Sequence, residues 1–458
     1  MIDRWTSDQL RNKAVTVVGL GRSGLAAARF CHAAGARVTA SEAGPAEMFS
    51  EAIHALEPGG VALEFGGHRP QTFAAADLIV LSPGVPHTIV PLEAARQQGV
   101  PVMGEMELAA RFIAEPIAAV TGTNGKTTTT ELLGAMLKAS GMTVFVGGNI
   151  GNPLIEYVEG GPTADWLVVE VSSFQLDTMV HFRPRIGCLL NISEDHLDRY
   201  PDFEAYAAAK WRLFQNQATG DTAIINAALA TGGAPTRRLP GRILYFNGAP
   251  NGRQAAARMG KGRLELDLGD QQCRASVDLS AMQLVGRHNE ENAAAAGLAA
   301  LAAGASPSGI QTGLNTFRGL PHRVTFVRER QGVRYYDDSK ATNVDAVARA
   351  LDSFQAPVIL IMGGRAKGGR YDILKSRLLA KVRQLIVLGE AAPAIAEVFR
   401  PLVPVDRAAD MASAVRLAAD VAREGQVVLL SPACASFDMY ESYHQRGEDF
   451  CHHVQQLA

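Results

Sequence analysis

The stretch GTNGKTT, Gly122 to Thr128, follows an apolar run, Ile117 to Val120, and opens a helix-like run, Thr128 to Ala139. Strand, glycine-bearing loop and helix in that order form the context that a phosphate-binding loop requires. Glycines let backbone N–H groups curl around phosphate oxygens, and the helix N-terminus adds positive partial charge. In such a loop Lys126 reaches the terminal phosphates and the Thr127 hydroxyl sits on Mg²⁺, with Gly122, Thr123, Asn124, Gly125 and Thr128 completing the cradle. The textual match to GxxxxGK[ST] is incomplete, because Val120 stands where the first glycine belongs. The competing reading is an ordinary turn rich in Gly and Thr. Strand context, two glycines and the threonine run favour binding of ATP or GTP.

Outward from this loop the chain alternates strand and helix in three blocks. In the first, Ala14 to Val18 reads as a buried strand, Gly19 to Gly24 as a turn, Leu25 to Ala34 as a helix, and Arg37 to Ala40 and Leu78 to Leu81 as further strands. The second block adds strands Leu167 to Val171, Ile186 to Leu190 and Thr222 to Ile225. A Gly-, Arg- and Pro-rich stretch, Thr231 to Arg263, reads as excursion loops or short antiparallel strands, and Asn289 to Ala303 as an Ala-rich helix. A break at Gly319-Leu320-Pro321 opens the third block, with strands Val358 to Met362, Leu385 to Leu388 and Val427 to Leu430. Continuous apolar runs spaced by helical patterns argue for doubly wound, mainly parallel sheets. The expected fold class is α/β, with domains at 1–104, 105–318 and 319–458, in keeping with a length prior of about three domains.

Composition narrows the function classes. With 47% hydrophobic but only 6% aromatic residues, small aliphatics fill the cores. The net charge of −2 excludes the overall charge of a typical nucleic-acid binder. The five cysteines are odd in number and scattered, so reduced thiols are expected. The N-terminal MIDRWTSDQL has no apolar signal core, and Ala293 to Ala303 is too short to span a bilayer. A cytoplasmic protein without membrane insertion is the expectation.

Gly19-Leu20-Gly21-Arg22-Ser23-Gly24 is a literal GxGxxG after a strand, with Glu42 at the end of the next strand. That pattern fits an NAD site. It equally fits a nucleotide-sugar diphosphate such as UDP, since the geometry only promises a helix N-terminus that holds a diphosphate. The ATP loop already present in the second block favours UDP.

Glu170 ends the strand beside the phosphate loop and is placed to hold Mg²⁺, which takes hard oxygen ligands. His196 lies in NISEDHLDRY past another strand of that sheet, at the edge where open α/β sheets bind ligands. Lys210, in AYAAAKWRLF, reads on spacing alone as a surface lysine. Asn289 and Asn292, at i and i+3 of a helix start, either face a nucleotide base or cap the helix. In the third block LPHRV supplies His322 and Arg323. YYDDSKATN supplies Asp337, Asp338, Ser339, Lys340, Thr342 and Asn343, a strand running into a polar loop suited to an anion.

Together these motifs resemble the Mur ligase family, the ATP-dependent amide ligases of cell-wall precursor synthesis. DSKATN, LSPACASFD (Leu430 to Asp438) and GLGRSG resemble most the member that adds D-glutamate to UDP-N-acetylmuramoyl-L-alanine, and the likeness spans essentially the whole chain. It implies a Rossmann-like N-terminal domain for the UDP substrate, a P-loop ATPase-like central domain and a Rossmann-like C-terminal domain for the amino acid. It also implies two Mg²⁺, no obligatory protein partner, and an acyl-phosphate mechanism that releases ADP. Residue by residue, it gives Lys126 and Thr127 to ATP phosphates and Mg²⁺, Glu170 to the metal between the phosphates, and His196 to the metal site and substrate. Lys210 becomes a carbamylated lysine that supports a second Mg²⁺. Arg22, Ser23, Ser82 and Asn149 become contacts to the UDP substrate, and Asn289, Arg323 and Asp338 contacts to adenosine and ribose. His322, Lys340, Thr342, Ser436, Phe437 and Tyr443 line the D-glutamate pocket.

The sequence departs from the family at two places. Where relatives often carry an acidic residue after paired glycines, the run here is Gly363-Gly364-Arg365-Ala366-Lys367, and only Lys367 carries over to the pocket. Near the uracil site the strand end reads Ala40-Ser41-Glu42. The rival readings are another Mur-type or folate-type ligase, against which DSKATN speaks, an NAD-dependent oxidoreductase, and a nucleotide-dependent binding switch without catalysis.

Overall fold

The computed structural model describes residues 4–160, 163–230, 235–250, 254–269, 273–284, 286–368 and 370–457. Three main sheets follow one another along the chain. The first has the spatial order Ala62–Glu64, Arg37–Ser41, Ala14–Val18, Leu78–Leu81, Val102–Gly104, all parallel. Chain order reverses between Ala14–Val18 and Leu78–Leu81, so the turns after these two strands diverge and leave a crevice at their carboxyl ends. Gly19 and Ser82 sit on its two sides. The helix after Gly19 begins at Arg22 rather than Leu25 and ends at Ala33. The earlier start needs Gly24, because a Cβ there would collide with the Gly19 carbonyl oxygen.

The central sheet runs Arg242–Phe246, Thr222–Asn226, Ile186–Leu189, Ile117–Thr121, Trp166–Glu170, Val144–Gly148, again all parallel. Ile117–Thr121 therefore lies between Trp166–Glu170 and Ile186–Leu189. The turns after these three strands meet at one edge of the sheet. The central strands are buried on both faces, which explains their unbroken apolar sequence. The long helix of this domain spans Lys126–Ala139 and starts two residues earlier than the sequence pattern indicates. Thr128, Thr129 and Thr130 are buried in it, so tertiary packing overrides the modest helix propensity of threonine. Beside it lies Arg287–Ala302, whose alanines at 293–296 and 299–300 are fully buried. Alanine lets two helices approach closely, and this accounts for a large core with few aromatics. The excursion after the central strands contains Arg242–Phe246, which joins the main sheet, and an antiparallel trio, Ala257–Gly260, Arg263–Asp267 and Arg274–Asp278. Residues 231–234 and 251–253 of the Thr231 to Arg263 stretch lie outside the described residues.

The third sheet has the order Thr325–Arg330, Val333–Asp337, Val427–Leu430, Val358–Gly363, Val382–Leu388, Val405–Arg407. All neighbours are parallel except the first pair, an antiparallel hairpin. The turn after Val333–Asp337 carries Asp338 to Asn343, and the adjacent turn after Val427–Leu430 carries Ser431 to Phe437. Among the described residues no helix is long and apolar enough to cross a membrane.

Candidate active site

The phosphate loop is clamped before any ligand is considered. Asn191, just past Ile186–Leu189, accepts from the Asn124 backbone N–H at 2.8 Å and donates through Nδ2 to the Asn124 carbonyl at 2.9 Å. Its own carbonyl accepts from the Thr123 N–H at 2.9 Å. Gly125 takes a left-handed conformation, φ 87°, and a Cβ there would strike the Asn292 side chain. Lys126 Nζ donates to the carbonyls of Gly122 (3.0 Å) and Thr123 (2.9 Å). Lys210 Nζ donates to the same Gly122 carbonyl at 2.9 Å. Lys210 is only 1% exposed, so the surface position indicated by its spacing is wrong. The helix Phe203–Trp211 buries the face bearing Tyr206, Ala209 and Lys210, and the lysine stem packs its ammonium 4.5 Å from the centre of the Tyr206 ring. Burial lowers the pKa of Lys126 below the ordinary lysine range. Burial, reinforced by the charge of Lys126, lowers that of Lys210 well below it.

Register pairing of Val120 with Glu170 sets the Glu170 carboxylate beside the loop. Asn149 Nδ2 donates to its Oε1 at 2.7 Å, while Oε2 is buried without a hydrogen-bond partner. A buried polar atom left unpaired is costly and calls for an explanation. His196 adopts φ 55° and is pinned by its backbone N–H donating to Asp195 Oδ1 at 2.9 Å. Its ring meets Phe174 edge-on, centroids 4.8 Å apart. Burial takes its pKa down to about 4, so the imidazole is neutral at pH 7. Among the described residues no group of three His, Cys, Asp or Glu side chains is arranged to hold a metal.

The third sheet reaches over this loop. Arg323 Nη2 donates to Thr127 Oγ1 at 2.8 Å. Asp338 is buried, accepts from Ser431 Oγ at 2.8 Å, and has its carboxyl pKa pushed up to about 8 by desolvation. Asn124, Gly125, Asn289, Asn292, Arg323 and Asp338 line one cleft between the two domains. Asn292 Nδ2 donates to Asn289 Oδ1 at 3.2 Å, and Gly286 occupies the N-cap position of the helix, so both asparagines lie inside its first two turns. The cleft has room for about 70 Å³, far less than the several hundred Å³ of ordinary small-molecule sites.

Farther into the third domain, His322 Nδ1 and Asp337 Oδ2 lie 2.5 Å apart, and Asp337 Oδ1 accepts from the Ser339 N–H at 2.8 Å. Lys340 Nζ sits 3.7 Å from the centre of the Tyr443 ring. Burial, with Arg323 adding like charge, brings its pKa down to about 7. Lys367 Nζ points to Thr342 Oγ1 at 3.4 Å. Arg365, two residues earlier, forms an exposed ion pair with Glu390 at 2.8 Å, so the family departure at this position turns outward. Ser436 is buried, whereas Phe437 is 64% exposed.

The glycine loop of the first domain is different. Arg22 and Ser23 form the first turn of its helix, with Gly21 before them and Ser82 across the crevice. Glu42 Oε2 accepts from the Leu20 N–H at 2.8 Å, and Oε1 from the Gly44 N–H at 3.0 Å. The acidic residue of the GxGxxG pattern is thus turned onto the loop itself. A second crevice, lined by Ser82, Gly104, Glu105, Phe174, Gln175 and Arg199, connects this loop with the central sheet edge.

Three family models match the chain in succession. The Mur ligase MurD-like N-terminal domain covers residues 13–104, the Mur ligase middle domain 120–300, and the Mur ligase, glutamate ligase domain 322–434. The chain belongs to the Mur ligase family. This Mur ligase is 50% identical over 448 residues to the UDP-N-acetylmuramoylalanine–D-glutamate ligase of Desulfatibacillum aliphaticivorans, covering 98% of this chain and 99% of that one. It is 49% identical to the protein of the same name from Desulfosudis oleivorans, covering 98% and 97%. Its fold is that of the MurF ligase from Thermotoga maritima in complex with ADP, with a TM-score of 0.59 at 17% identity over 100% of this chain and 99% of that one. It also matches UDP-N-acetylmuramate-alanine ligase MurC of Thermotoga maritima, with a TM-score of 0.59 at 18% identity over 96% and 99%.

Several residues of the site escape a reading by motif. Asn191 clamps the phosphate loop, and its only sequence signal is a polar residue after an apolar strand. Tyr206 meets Thr123 Oγ1 at 3.1 Å and underlies Lys210. Arg446, on the helix Tyr443–Gln455, is buried and donates to Ser339 Oγ (2.9 Å), Ser339 O (2.7 Å) and Cys434 O (3.1 Å). It joins the turns of Lys340 and Ser436, and the first of these lies about a hundred residues away in sequence, so nothing local marks it.

Proposed function

We propose that this Mur ligase joins D-glutamate to UDP-N-acetylmuramoyl-L-alanine, using ATP and releasing ADP and phosphate, in peptidoglycan precursor synthesis in the cytoplasm. The observation that carries this reading is full-length identity of about one half to ligases of that name, together with Lys126, Lys210 and Arg323 meeting at the one glycine loop of the central sheet. Residues 1–104 are assigned to the UDP substrate, 105–318 to ATP and 319–458 to D-glutamate.

In this account the substrate carboxylate attacks the γ-phosphorus, the bond to ADP breaks and an acyl phosphate forms. The D-glutamate amine then attacks the acyl carbon, phosphate leaves, and the amine loses a proton to give the amide. Carboxylate and triphosphate are both anions, so catalysis is chiefly charge neutralisation and alignment. Lys126 turns from the loop carbonyls to the β- and γ-phosphates. Arg323, Asp338 and Asn289 receive adenosine and ribose as the third domain closes. Arg22, Ser23, Ser82 and Asn149 hold the UDP substrate. Lys340 attracts a glutamate carboxylate, which favours its ammonium form, while His322, Thr342, Lys367, Ser436, Phe437 and Tyr443 complete the pocket.

The donor set suits magnesium. Glu170 Oε2 is a buried hard oxygen with no protein partner, and the Thr127 hydroxyl is a second oxygen donor. Magnesium at phosphate sites usually takes one or two carboxylates plus phosphates and waters, so a dense acidic cluster is not required. Thr127, Glu170, His196 and Lys210 are the residues that would hold two ions, whose chemistry is to neutralise the phosphoryl oxygens. Burial disfavours the ammonium form of Lys210 and so favours its nucleophilic amine. By attacking CO₂ and losing a proton it becomes a carbamate anion able to serve as an oxygen ligand.

The test is ADP release with UDP-N-acetylmuramoyl-L-alanine and ATP, with D-glutamate present or replaced by L-alanine or L-lysine. Release stimulated by D-glutamate alone supports the reading, and equal rates with all three would refute the amino-acid assignment.

A further inference from the structure

Where the third domain meets the phosphate loop, two side chains with no part in the chemistry above make polar contacts across the boundary beside Asn124. Asn343 Nδ2 donates to Asp195 Oδ2 at 3.0 Å and lies 3.4 Å from Asn124 Oδ1. Asp345 Oδ2 accepts from Asn124 Nδ2 at 2.9 Å. Each has a second, local anchor. Asn343 Oδ1 accepts from the Ala346 N–H at 2.9 Å and caps the helix Val344–Asp352, while Asp345 Oδ2 also accepts from Arg349 Nε at 2.8 Å. On the central side both partners belong to the reaction centre. Asn124 is the middle of the phosphate loop, and Asp195 holds the His196 backbone N–H through its other oxygen.

We infer that Asn343 and Asp345 form a two-point latch that positions the amino-acid loop, Lys340 to Asn343, against the phosphate loop when the third domain closes. Because Asn343 directly follows Lys340, Ala341 and Thr342, its docking on Asp195 sets where the Lys340 ammonium and Thr342 hydroxyl stand relative to the transferring phosphoryl group. The contacts join side-chain amides to carboxylates, with no opposed full charges. Such bonds are directional and short in range, so they form only in the docked geometry and do not pull the domains together from afar. Asn343 thereby reports the state of the His196 turn, and Asp345 that of the phosphate loop, to one helix. Neither is a catalytic residue.

Substitution at Asn343 separates docking from helix capping, since Ser and Asp both cap well. Asn343→Ser keeps an acceptor for Ala346 N–H and removes the longer carboxamide whose N–H donates to Asp195. Asn343→Asp also keeps the cap, and sets a carboxylate against Asp195. Exchanging the pair, Asn343→Asp with Asp195→Asn, restores one donor and one acceptor. The readouts are small-angle X-ray scattering with magnesium and ADP, steady-state rates at varied D-glutamate, and thermal unfolding. The kinetic part rests on the ligase reading, whereas the scattering part does not. We expect a larger radius of gyration for Asn343→Ser and more so for Asn343→Asp, with the exchanged pair returning toward the parent protein. We also expect kcat/KM for D-glutamate to fall on the order of tenfold in Asn343→Asp at an unchanged thermal midpoint. Parent-like scattering in both single variants would overturn the latch. So would an exchanged pair no more compact than Asn343→Asp, or a fall in thermal midpoint that accounts for the lost rate. If the parent protein releases no ADP, the ligase reading fails while the scattering comparison still decides the latch.

Discussion

Two turns in this molecule leave a parallel strand through glycines and enter a helix, and their side chains differ in charge. At Gly19 to Gly24 the carboxylate of Glu42 accepts from the Leu20 N–H at 2.8 Å. At Gly122 to Thr128 two lysines donate to one carbonyl, Lys126 at 3.0 Å and Lys210 at 2.9 Å, while Arg323 reaches Thr127. The backbone device is the same: a helix N-terminus of the kind that suits a phosphate group. What differs is the charge gathered around it. The first turn already satisfies part of its donor capacity internally and suits a group that is held throughout the reaction. The second concentrates desolvated amines whose charge is costly until an anion arrives. On this view the first turn governs binding of the UDP substrate, and the second governs the phosphoryl step.

The largest expected effect follows from removing Lys126, the amine assigned above to the terminal phosphates. Lys126→Ala lowers kcat for phosphate release on the order of 10³-fold, with a much smaller change in KM for the UDP substrate. Release within a few fold of the parent rate would remove the distinction between the turns. Lys210→Ala lowers kcat on the order of 10²-fold. Millimolar formate, a small carboxylate able to replace the lost carbamate, restores part of the rate. An active variant, or an inactive one indifferent to formate, would count against that role.

A moderate effect is expected from pH. Lys340 titrates at about 7, so its ammonium predominates below that value and its amine above. On the proposed role the charged form attracts glutamate, hence kcat/KM for D-glutamate declines as pH rises above 7. Lys340→Arg, always charged, flattens this alkaline limb even if it lowers the overall rate, whereas an unchanged limb assigns the titration elsewhere. The smallest effect belongs to the first turn. Glu42→Gln changes KM for the UDP substrate by less than about tenfold and leaves kcat unaltered, in line with one charge-assisted hydrogen bond. A fall in kcat matching that of Lys126→Ala would show that the two turns do not divide the work.

Many of the sheet strands were legible because they are short apolar runs buried on both faces, whereas the strands Ala62–Glu64, Val102–Gly104, Val144–Gly148, Thr325–Arg330 and Val405–Arg407 were not read from the sequence. Ala14–Val18, Leu78–Leu81 and Val427–Leu430 begin and end where the run does, and the other predicted strands are off mainly by a residue or two at an end. The helix starts were less legible. Arg22 and Lys126 each continue a glycine turn without a capping side chain, so the pattern alone starts the helix later. Within the site, Glu170 was legible from four apolar neighbours that leave the carboxylate at a strand tip. Lys210 was not, because its neighbours are alanines and nothing in a near-uniform helix tells which face is buried. Only the family resemblance pointed to it. Asn191, Arg446 and the Asn343–Asp195 contact depend on pairs 67, 107 and 148 positions apart, distances at which periodicity carries no information.

The central claim is that the carboxylate held by the first domain is phosphorylated at the second turn before the amine attacks. It is tested most directly by placing ¹⁸O in both oxygens of the alanyl carboxylate of UDP-N-acetylmuramoyl-L-alanine and analysing the released phosphate by mass spectrometry. One ¹⁸O in each phosphate formed is the result this account predicts. Phosphate free of label, formed at the same rate as the amide, would contradict it.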